Sequence, residues 1–213
     1  MPDNIDYTLY AVTDDSPDIA AKLAEALEGG ATIVQLRRKG CGSKELAEKA
    51  RALKAITDAA AVPLVVNDDP EAAKLSGAAG AHIGQGDGDV RKAREILGPD
   101  KILGVSAGTV AEAARAEREG ADYIGVGAVF PTGSKADAES VSIGTLREIA
   151  AAVSIPVVAI GGIGEGNIGR LAGSGIAGIA VISALFSPAG GTVREAARKL
   201  KRLAETVCKR EAE

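Results

Sequence analysis

The chain alternates strictly between short β-branched runs and longer stretches of helical spacing, and this constrains its fold more than any other feature. The apolar runs are Thr8–Val12, Thr32–Leu36, Leu64–Val66, Ala81–Ile83, Ile102–Val105, Tyr123–Val126, Val157–Ile160 and Gly178–Ile182. Helical patterns follow near Ile19–Glu28, Lys44–Ala60, Pro70–Leu75, Val90–Leu97, Val110–Glu119, Ile143–Val153, Gly166–Ala172 and Val193–Val207. Runs this continuously apolar suit strands buried on both faces, as in a parallel sheet. Eight units in 213 residues leave about 27 residues each, near the lower limit for a (β/α)8 barrel. The expected fold is therefore α/β, a single (β/α)8 TIM barrel over residues 1–213, with short loops and no second domain. A doubly wound open sheet is the competing architecture, but it usually needs fewer units.

Glycine supports the repeat. The chain has 27 glycines, about twice the usual share. Four strand entries share a Gly/Ala signature: Gly30-Ala31-Thr32, Gly80-Ala81-His82, Gly120-Ala121-Asp122 and Ala177-Gly178-Ile179. The expected role is a left-handed helix cap that starts the next strand at once. Two further strands open on proline, at Val62-Pro63-Leu64 and Ile155-Pro156-Val157.

Composition removes several functional classes. The formal net charge is −4, and there are three Tyr, two Phe and no Trp. A nucleic-acid partner or base-stacking surface is not expected from such a chain. No run of about 18 uncharged apolar residues occurs, so no membrane span is expected. The first ten residues carry two Asp and no basic segment, so no secretory signal is expected. Cys41 and Cys208 lie far apart without metal-site spacing, which suits a reduced, cytoplasmic setting.

In such a barrel the chemistry lies on the loops after the strands. Gln35, Arg37 and Lys39 follow the second run with one parity, so they can face the same side. Two cations and an amide at a barrel mouth suit an anionic ligand, with Arg forking onto phosphate oxygens; a solvated basic loop is the alternative. The third strand ends in Asn67-Asp68-Asp69-Pro70. Asp69 reads as a helix N-cap before proline, which leaves Asn67 and Asp68 at the strand end. Asp87 closes the neighbouring His82-Ile83-Gly84-Gln85-Gly86-Asp87 segment. One or two carboxylates plus substrate phosphates are the usual Mg²⁺ arrangement, though Asp87 also fits a turn. His82, the single histidine, sits inside a strand and is expected to pack or hydrogen-bond rather than serve as a general base.

Ser106 ends the fifth strand, and Thr109 reads as an N-cap. The sixth leads into the longest irregular stretch, which carries Thr132, Ser134 and Lys135; long loops in compact domains are often functional. The seventh runs into Gly161-Gly162-Ile163-Gly164 and the eighth into Ile182-Ser183. Those two loops are the habitual phosphate site of this fold, where backbone N–H groups meet the anion. Two anionic pockets are therefore expected. Arg37, Lys39, Lys135 and a metal on Asp68 and Asp87 would take a diphosphate, and Gly162 with Ser183 a monophosphate. No Ser/His/Asp set or Cys beside a base is evident, which points to chemistry driven by a departing diphosphate. With so few aromatics, a heterocycle is expected to rest mostly on amides, hydroxyls and aliphatic walls.

From Tyr10-Ala11-Val12-Thr13-Asp14 to the last helix the chain resembles the thiamine-phosphate synthase family. The resemblance is carried by Gln35-Leu36-Arg37-Arg38-Lys39, Val66-Asn67-Asp68, His82-Ile83-Gly84-Gln85-Gly86-Asp87, Gly104-Val105-Ser106, Gly120-Ala121-Asp122-Tyr123-Ile124-Gly125-Val126-Gly127, Val129-Phe130-Pro131-Thr132-Gly133-Ser134-Lys135, Ala159-Ile160-Gly161-Gly162-Ile163 and Ile182-Ser183-Ala184. It implies a Mg²⁺-dependent transferase of thiamine biosynthesis, joining an aminopyrimidine-methyl diphosphate to a thiazole-ethyl phosphate with release of diphosphate. By the family pattern Arg37, Lys39 and Lys135 hold the diphosphate, and Asp68 and Asp87 bind Mg²⁺. Gln35, Asn67 and Ser106 surround the pyrimidine; Thr132, Ser134, Gly162, Ile182 and Ser183 hold the thiazole and its phosphate. The implied partners are these small molecules, with no nucleic acid and no membrane; a homo-oligomer is left open. Asp69 departs from a frequent Arg, Gly108 from a frequent His, Ala128 from a frequent Pro and Ser134 from a frequent Thr. Three alternatives stand beside this one: a thiazole tautomerase, a non-catalytic binder of phosphate ligands, and another phosphate-binding barrel enzyme such as a sugar-phosphate isomerase.

Overall fold

The computed structural model describes residues 5–38, 40–133 and 140–208. Its strands are β1 Leu9–Val12, β2 Ile33–Leu36, β3 Leu64–Asn67, β4 Gly80–Ile83, β5 Ile102–Ser106, β6 Tyr123–Val126, β7 Val157–Ile160 and β8 Gly178–Val181. Each pairs in parallel with its chain neighbours. β1 pairs with β8 through Leu9–Ile179, Tyr10–Ala180 and Ala11–Val181, which closes the barrel. Around it, among the described residues, lie α1 Ile19–Glu28, α2 Ser43–Ala59, α3 Pro70–Ser76, α4 Val90–Leu97, α5 Val110–Arg118, α6 Ile143–Ala152, α7 Ser183–Phe186 and α8 Val193–Val207. The expected (β/α)8 barrel is the fold, and the open sheet is excluded by closure.

Two elements differ from expectation. The helix expected near residues 166–172 is a single 3₁₀ turn, Ile168–Leu171. Gly164, Gly166 and Gly169 crowd that stretch, and glycine is costly in a helix interior. The short α7 has only four residues, too few for a periodic pattern to reveal.

Parity sorts each strand between two cores. Leu9, Ala11, Val34, Leu36, Val66 and Leu103 point outward into the layer shared with the helices. Tyr10, Val12, Ile33, Val65, Tyr123 and Val158 fill the lumen. Helix starts are defined by their caps. The Asp69 carboxylate accepts from Ala72 N–H at 2.8 Å with Pro70 opening α3, as expected. Thr109 caps α5 and Thr192 caps α8, each in a reciprocal box with Glu112 or Glu195. Below the strands, Arg94 donates to the carbonyls of Gly98, Lys101 and Gly120 and to the Asp122 carboxylate, tying α4 to the entries of β5 and β6.

The four Gly/Ala strand entries divide. Gly30 and Gly120 have φ of +103° and +101°, the left-handed turn anticipated. Gly80 and Gly178 do not: they are strand residues, and a Cβ would collide with the carbonyl of Ile102 or of Tyr7 respectively. They are required for close approach of backbones at the strand starts, not for a cap. Inside the lumen the same logic sets ring against glycine. A Cβ on Gly104 would overlap the Tyr123 ring, and one on Gly125 would stand 3.0 Å from His82 Cε1. Gly104→Ala is therefore expected to destabilise the fold by about 1–3 kcal/mol through overpacking, read as a lower urea midpoint at unchanged m-value.

Candidate active site

The strands' C-terminal ends open on one cavity of about 620 Å³. Gln35, Arg37, Asn67, Asp68, Asp87 and Ser106 line one side, and Thr132, Gly162, Ile182 and Ser183 the other. Ten of the residues singled out from sequence thus meet in one mouth. Described residues of both expected anionic pockets line this one space, because eight strand ends around one closed ring share one opening. Lys39, Ser134 and Lys135 lie outside the described residues.

The floor is a relay of buried polar groups from five strands. Gln35 Nε2 donates to Tyr10 Oη at 2.9 Å, and Tyr10 Oη lies 2.7 Å from Tyr123 Oη. Tyr123 Oη is 2.9 Å from His82 Nδ1, and His82 Nε2 is 2.9 Å from Ser106 Oγ. Both imidazole nitrogens are bonded, so His82 has the hydrogen-bonding role expected. Burial pushes the Tyr10 phenol up, against the lowering effect of its bonds to Tyr123 and Gln35. Tyr123 is raised by burial first and then by neighbouring Tyr10. Tyr10 and Tyr123 border the cavity, so phenol rings contribute to its floor beyond the amides, hydroxyls and aliphatic walls expected. Their inward parity at strand positions was the signal that could have found them.

The wall residues are held from behind. Thr13, fully buried, continues β1 and donates its N–H to Gln35 O at 2.9 Å. Its hydroxyl oxygen accepts from Arg37 N–H at 3.0 Å. The segment carrying Gln35 and Arg37 is therefore clamped across the strand ends. Asp68 has φ +62°, a left-handed conformation that Asp tolerates better than most residues, and its N–H donates to His82 O at 2.7 Å. Asp87 Oδ2 accepts from Gly84 N–H at 2.8 Å. It is thus a turn residue and a cavity residue at once. Gln85, within that turn, donates to Ser106 O at 2.7 Å and accepts from Arg115 at 2.5 Å. Asp69 spends its carboxylate on the α3 cap. At Gly108 a Cβ would meet only ordinary contacts, 3.7 Å from Glu112 and 3.9 Å from Val141. Glu112 instead closes that loop by accepting from the N–H groups of Gly108 and Thr109 at 2.8 and 3.1 Å.

On the opposite side Gly162 has φ +62°, and a Cβ there would collide with the Pro131 carbonyl. Phe130 N–H donates to Gly161 O at 3.1 Å, and the Arg170 guanidinium lies 5.1 Å above the Phe130 ring. The loop after β6 is thereby seated on the glycine turn after β7.

Among the described residues no group of three or more His, Cys, Asp or Glu could form a metal cage. Mg²⁺ does not require one, since it retains waters and takes one or two carboxylates plus substrate phosphates. Asp68 and Asp87, hard oxygen donors on one mouth, fit that requirement.

The chain is similar to known proteins in sequence and in fold. A family model described as thiamine monophosphate synthase matches residues 9–185. The chain is 53% identical to the thiamine-phosphate synthase of Clostridium tetani over 187 residues, 86% of this chain and 90% of that protein. It is 51% identical to the thiamine-phosphate synthase of Ruminiclostridium cellulolyticum over 191 residues, 88% of this chain and 91% of that one. Among solved structures it superposes on a thiamine phosphate pyrophosphorylase from Pyrococcus furiosus with a TM-score of 0.86 and 37% identity, covering 96% of this chain and 98% of the other.

Two outcomes follow from the clamped floor and wall. Unfolded phenols ionise near pH 10, whereas Tyr7, Tyr10 and Tyr123 in the folded chain are raised by burial. The unfolded state then binds fewer protons, so stability should fall as pH rises above about 10, read by urea melts from pH 8 to 11. Thr13→Val should strand the Arg37 N–H and cost about 1–3 kcal/mol, while Thr13→Ser retains most of it; denaturant melts of the two variants make the comparison.

Proposed function

The chain belongs to the thiamine monophosphate synthase family and is a transferase of thiamine biosynthesis, and from that premise we propose how its mouth performs the reaction. It couples 4-amino-2-methyl-5-(diphosphomethyl)pyrimidine with 4-methyl-5-(2-phosphoethyl)thiazole, giving thiamine phosphate and diphosphate. The observation that carries this assignment of ends is the sharing of one cavity by Arg37, Asp68 and Asp87 on one side and the Gly161–Ile163 turn with Ser183 on the other. A diphosphate and a monophosphate, each on its own heterocycle, fit such a space with the pyrimidine methylene and the thiazole nitrogen between them.

Arg37 forks onto the diphosphate oxygens. Lys39 and Lys135 add point charges. Asp68 and Asp87 would hold Mg²⁺, which when bound would supply charge neutralisation for the leaving diphosphate. Gln35, Asn67 and Ser106 orient the pyrimidine. The Gln35 amide is held by Tyr10, and the Ser106 hydroxyl by His82, so both present fixed dipoles to the ring. Thr132, Ser134, Ile182 and Ser183 position the thiazole, with its phosphate at Gly162. Carbon–oxygen cleavage releases diphosphate, and the thiazole nitrogen captures the pyrimidine-methyl cation. The protein contributes alignment and leaving-group stabilisation.

No described helix is long and apolar enough to cross a membrane, and the proposed setting is the cytoplasm. A tautomerase reading finds no support at Gly108, which offers no acid–base group.

Purified protein should release diphosphate only when both heterocycles and Mg²⁺ are present; release without the thiazole phosphate, or none with all three, would defeat the synthase reading. Asp87→Asn should raise the Mg²⁺ concentration for half-maximal rate by about tenfold, the loss of roughly 1.4 kcal/mol of carboxylate–metal attraction, and an unchanged metal titration removes Asp87 from the site. Lys135→Ala should lower turnover; wild-type turnover would remove Lys135 from the diphosphate site.

A further inference from the structure

The turn after β7 is held by a side chain that does not itself border the mouth. Asn167 Oδ1 accepts from Gly164 N–H at 2.9 Å, and Asn167 Nδ2 donates to Gly162 O at 2.8 Å. A backbone N–H needs an acceptor and a carbonyl needs a donor, so these partners fix which way the amide points. The backbone of Asn167 closes the same ring, donating to Gly164 O at 3.2 Å. Gly162 and Ile163 border the cavity, while Asn167 stands outside its lining. The carbonyl of Gly162 is therefore drawn out of the mouth toward Asn167. The Gly162–Ile163 peptide is not among the cis bonds of the chain, and in a trans peptide the N–H points opposite the carbonyl. The Ile163 N–H is thus turned to the cavity side. Its backbone makes no other hydrogen bond among the described residues. Flipping this peptide would place a carbonyl oxygen where the N–H stands, and glycine at position 162 (φ +62°) leaves the backbone free to visit other conformations.

We propose that Asn167 is a positioning residue for the monophosphate end of the mouth, holding the Gly162–Ile163 peptide so that an N–H and not a carbonyl oxygen faces the anion. The inference rests on the assignment of the thiazole phosphate to this turn. Asn167 touches no substrate; it acts through the peptide. Its effect is specific to the anionic group, since a peptide dipole of either sense is nearly indifferent to a neutral hydroxyl, which can donate as well as accept.

Asn167→Asp tests this with little change of size. The carboxylate still accepts from Gly164 N–H but sets an oxygen against Gly162 O, which favours the flipped peptide; Asn167→Ala removes both bonds. Each variant should raise KM for the thiazole phosphate by about tenfold, the scale of one charge-assisted hydrogen bond. KM for the pyrimidine diphosphate should hold, and kcat/KM for the thiazole alcohol lacking the phosphate should match wild type. Inorganic phosphate should raise the melting temperature of wild type and not of the variants, while pyrophosphate should stabilise all three. Equal losses with thiazole phosphate and thiazole alcohol would show a merely structural role and overturn the proposal, as would unchanged KM in both variants. If wild type itself fails to prefer the phosphate over the alcohol, the assignment of this turn to the phosphate falls, and the proposal with it.

Discussion

The narrow lumen of a closed eight-stranded ring is the constraint on which the rest of the structure depends. Inward side chains of all strands compete for one space, so a large group on one strand requires a small one opposite. Tyr123 occupies the room that Gly104 leaves, and His82 stands against Gly125. At the strand starts Gly80 and Gly178 admit the carbonyls of Ile102 and Tyr7. This arrangement also brings polar atoms inside. Tyr10, Tyr123 and His82 are buried, and a buried polar group without a partner is costly. They satisfy one another and end on Gln35 and Ser106, the groups that face the cavity. Packing and presentation of the cavity-facing dipoles are thus one set of contacts.

A second consequence is that the mouth is held by bonds among its lining residues and by Thr13 and Asn167 one step removed from it. Thr13 fixes the peptide of Arg37, Gly84 N–H engages the Asp87 carboxylate, Gln85 ties the same turn to Ser106, and Asn167 sets the turn after β7. Each of these bonds joins a loop to a strand end or closes a loop on itself. Loops this short have few conformations to lose, and a single side-chain bond suffices to select one. Preorganised dipoles cost little reorganisation when charge develops.

The architecture was legible because parallel barrel strands are buried on both faces, so their runs are apolar without interruption and the intervening helices keep their own period. Strand-end residues could be picked out because most are polar residues at or just past the ends of those runs, and ten of the residues so singled out, Gly162 and Ile182 among them, meet in one cavity. What was not legible has physical reasons. Tyr10 and Tyr123 sit within apolar runs, and a phenol at an inward strand position looks like core until its hydroxyl partner on a distant strand is known. Gly80 and Gly178 looked like caps because a glycine before a strand serves either to turn the chain or to admit a neighbour's backbone, and only the packing distinguishes them. The 3₁₀ turn Ile168–Leu171 was obscured because Asn167 folds back on the glycine turn and does not cap forward.

The placement of polar groups bears on the kind of chemistry the mouth can do. Both nitrogens of His82 are engaged, the phenols of Tyr10 and Tyr123 are raised by burial, and Glu112 is committed to the N–H groups of Gly108 and Thr109. A nucleophile or a general base needs the opposite: a group poised to gain or lose a proton near neutrality. Arg37, Asp68 and Asp87 instead bring charged groups to the same mouth. A site rich in fixed charges and fixed dipoles, with its titratable floor locked in hydrogen bonds, is suited to draw off an anionic leaving group while two substrates are kept in line. Rate then depends on how accurately the loops of the mouth are held. That makes the residues behind the mouth as consequential for the reaction as the ones that face it.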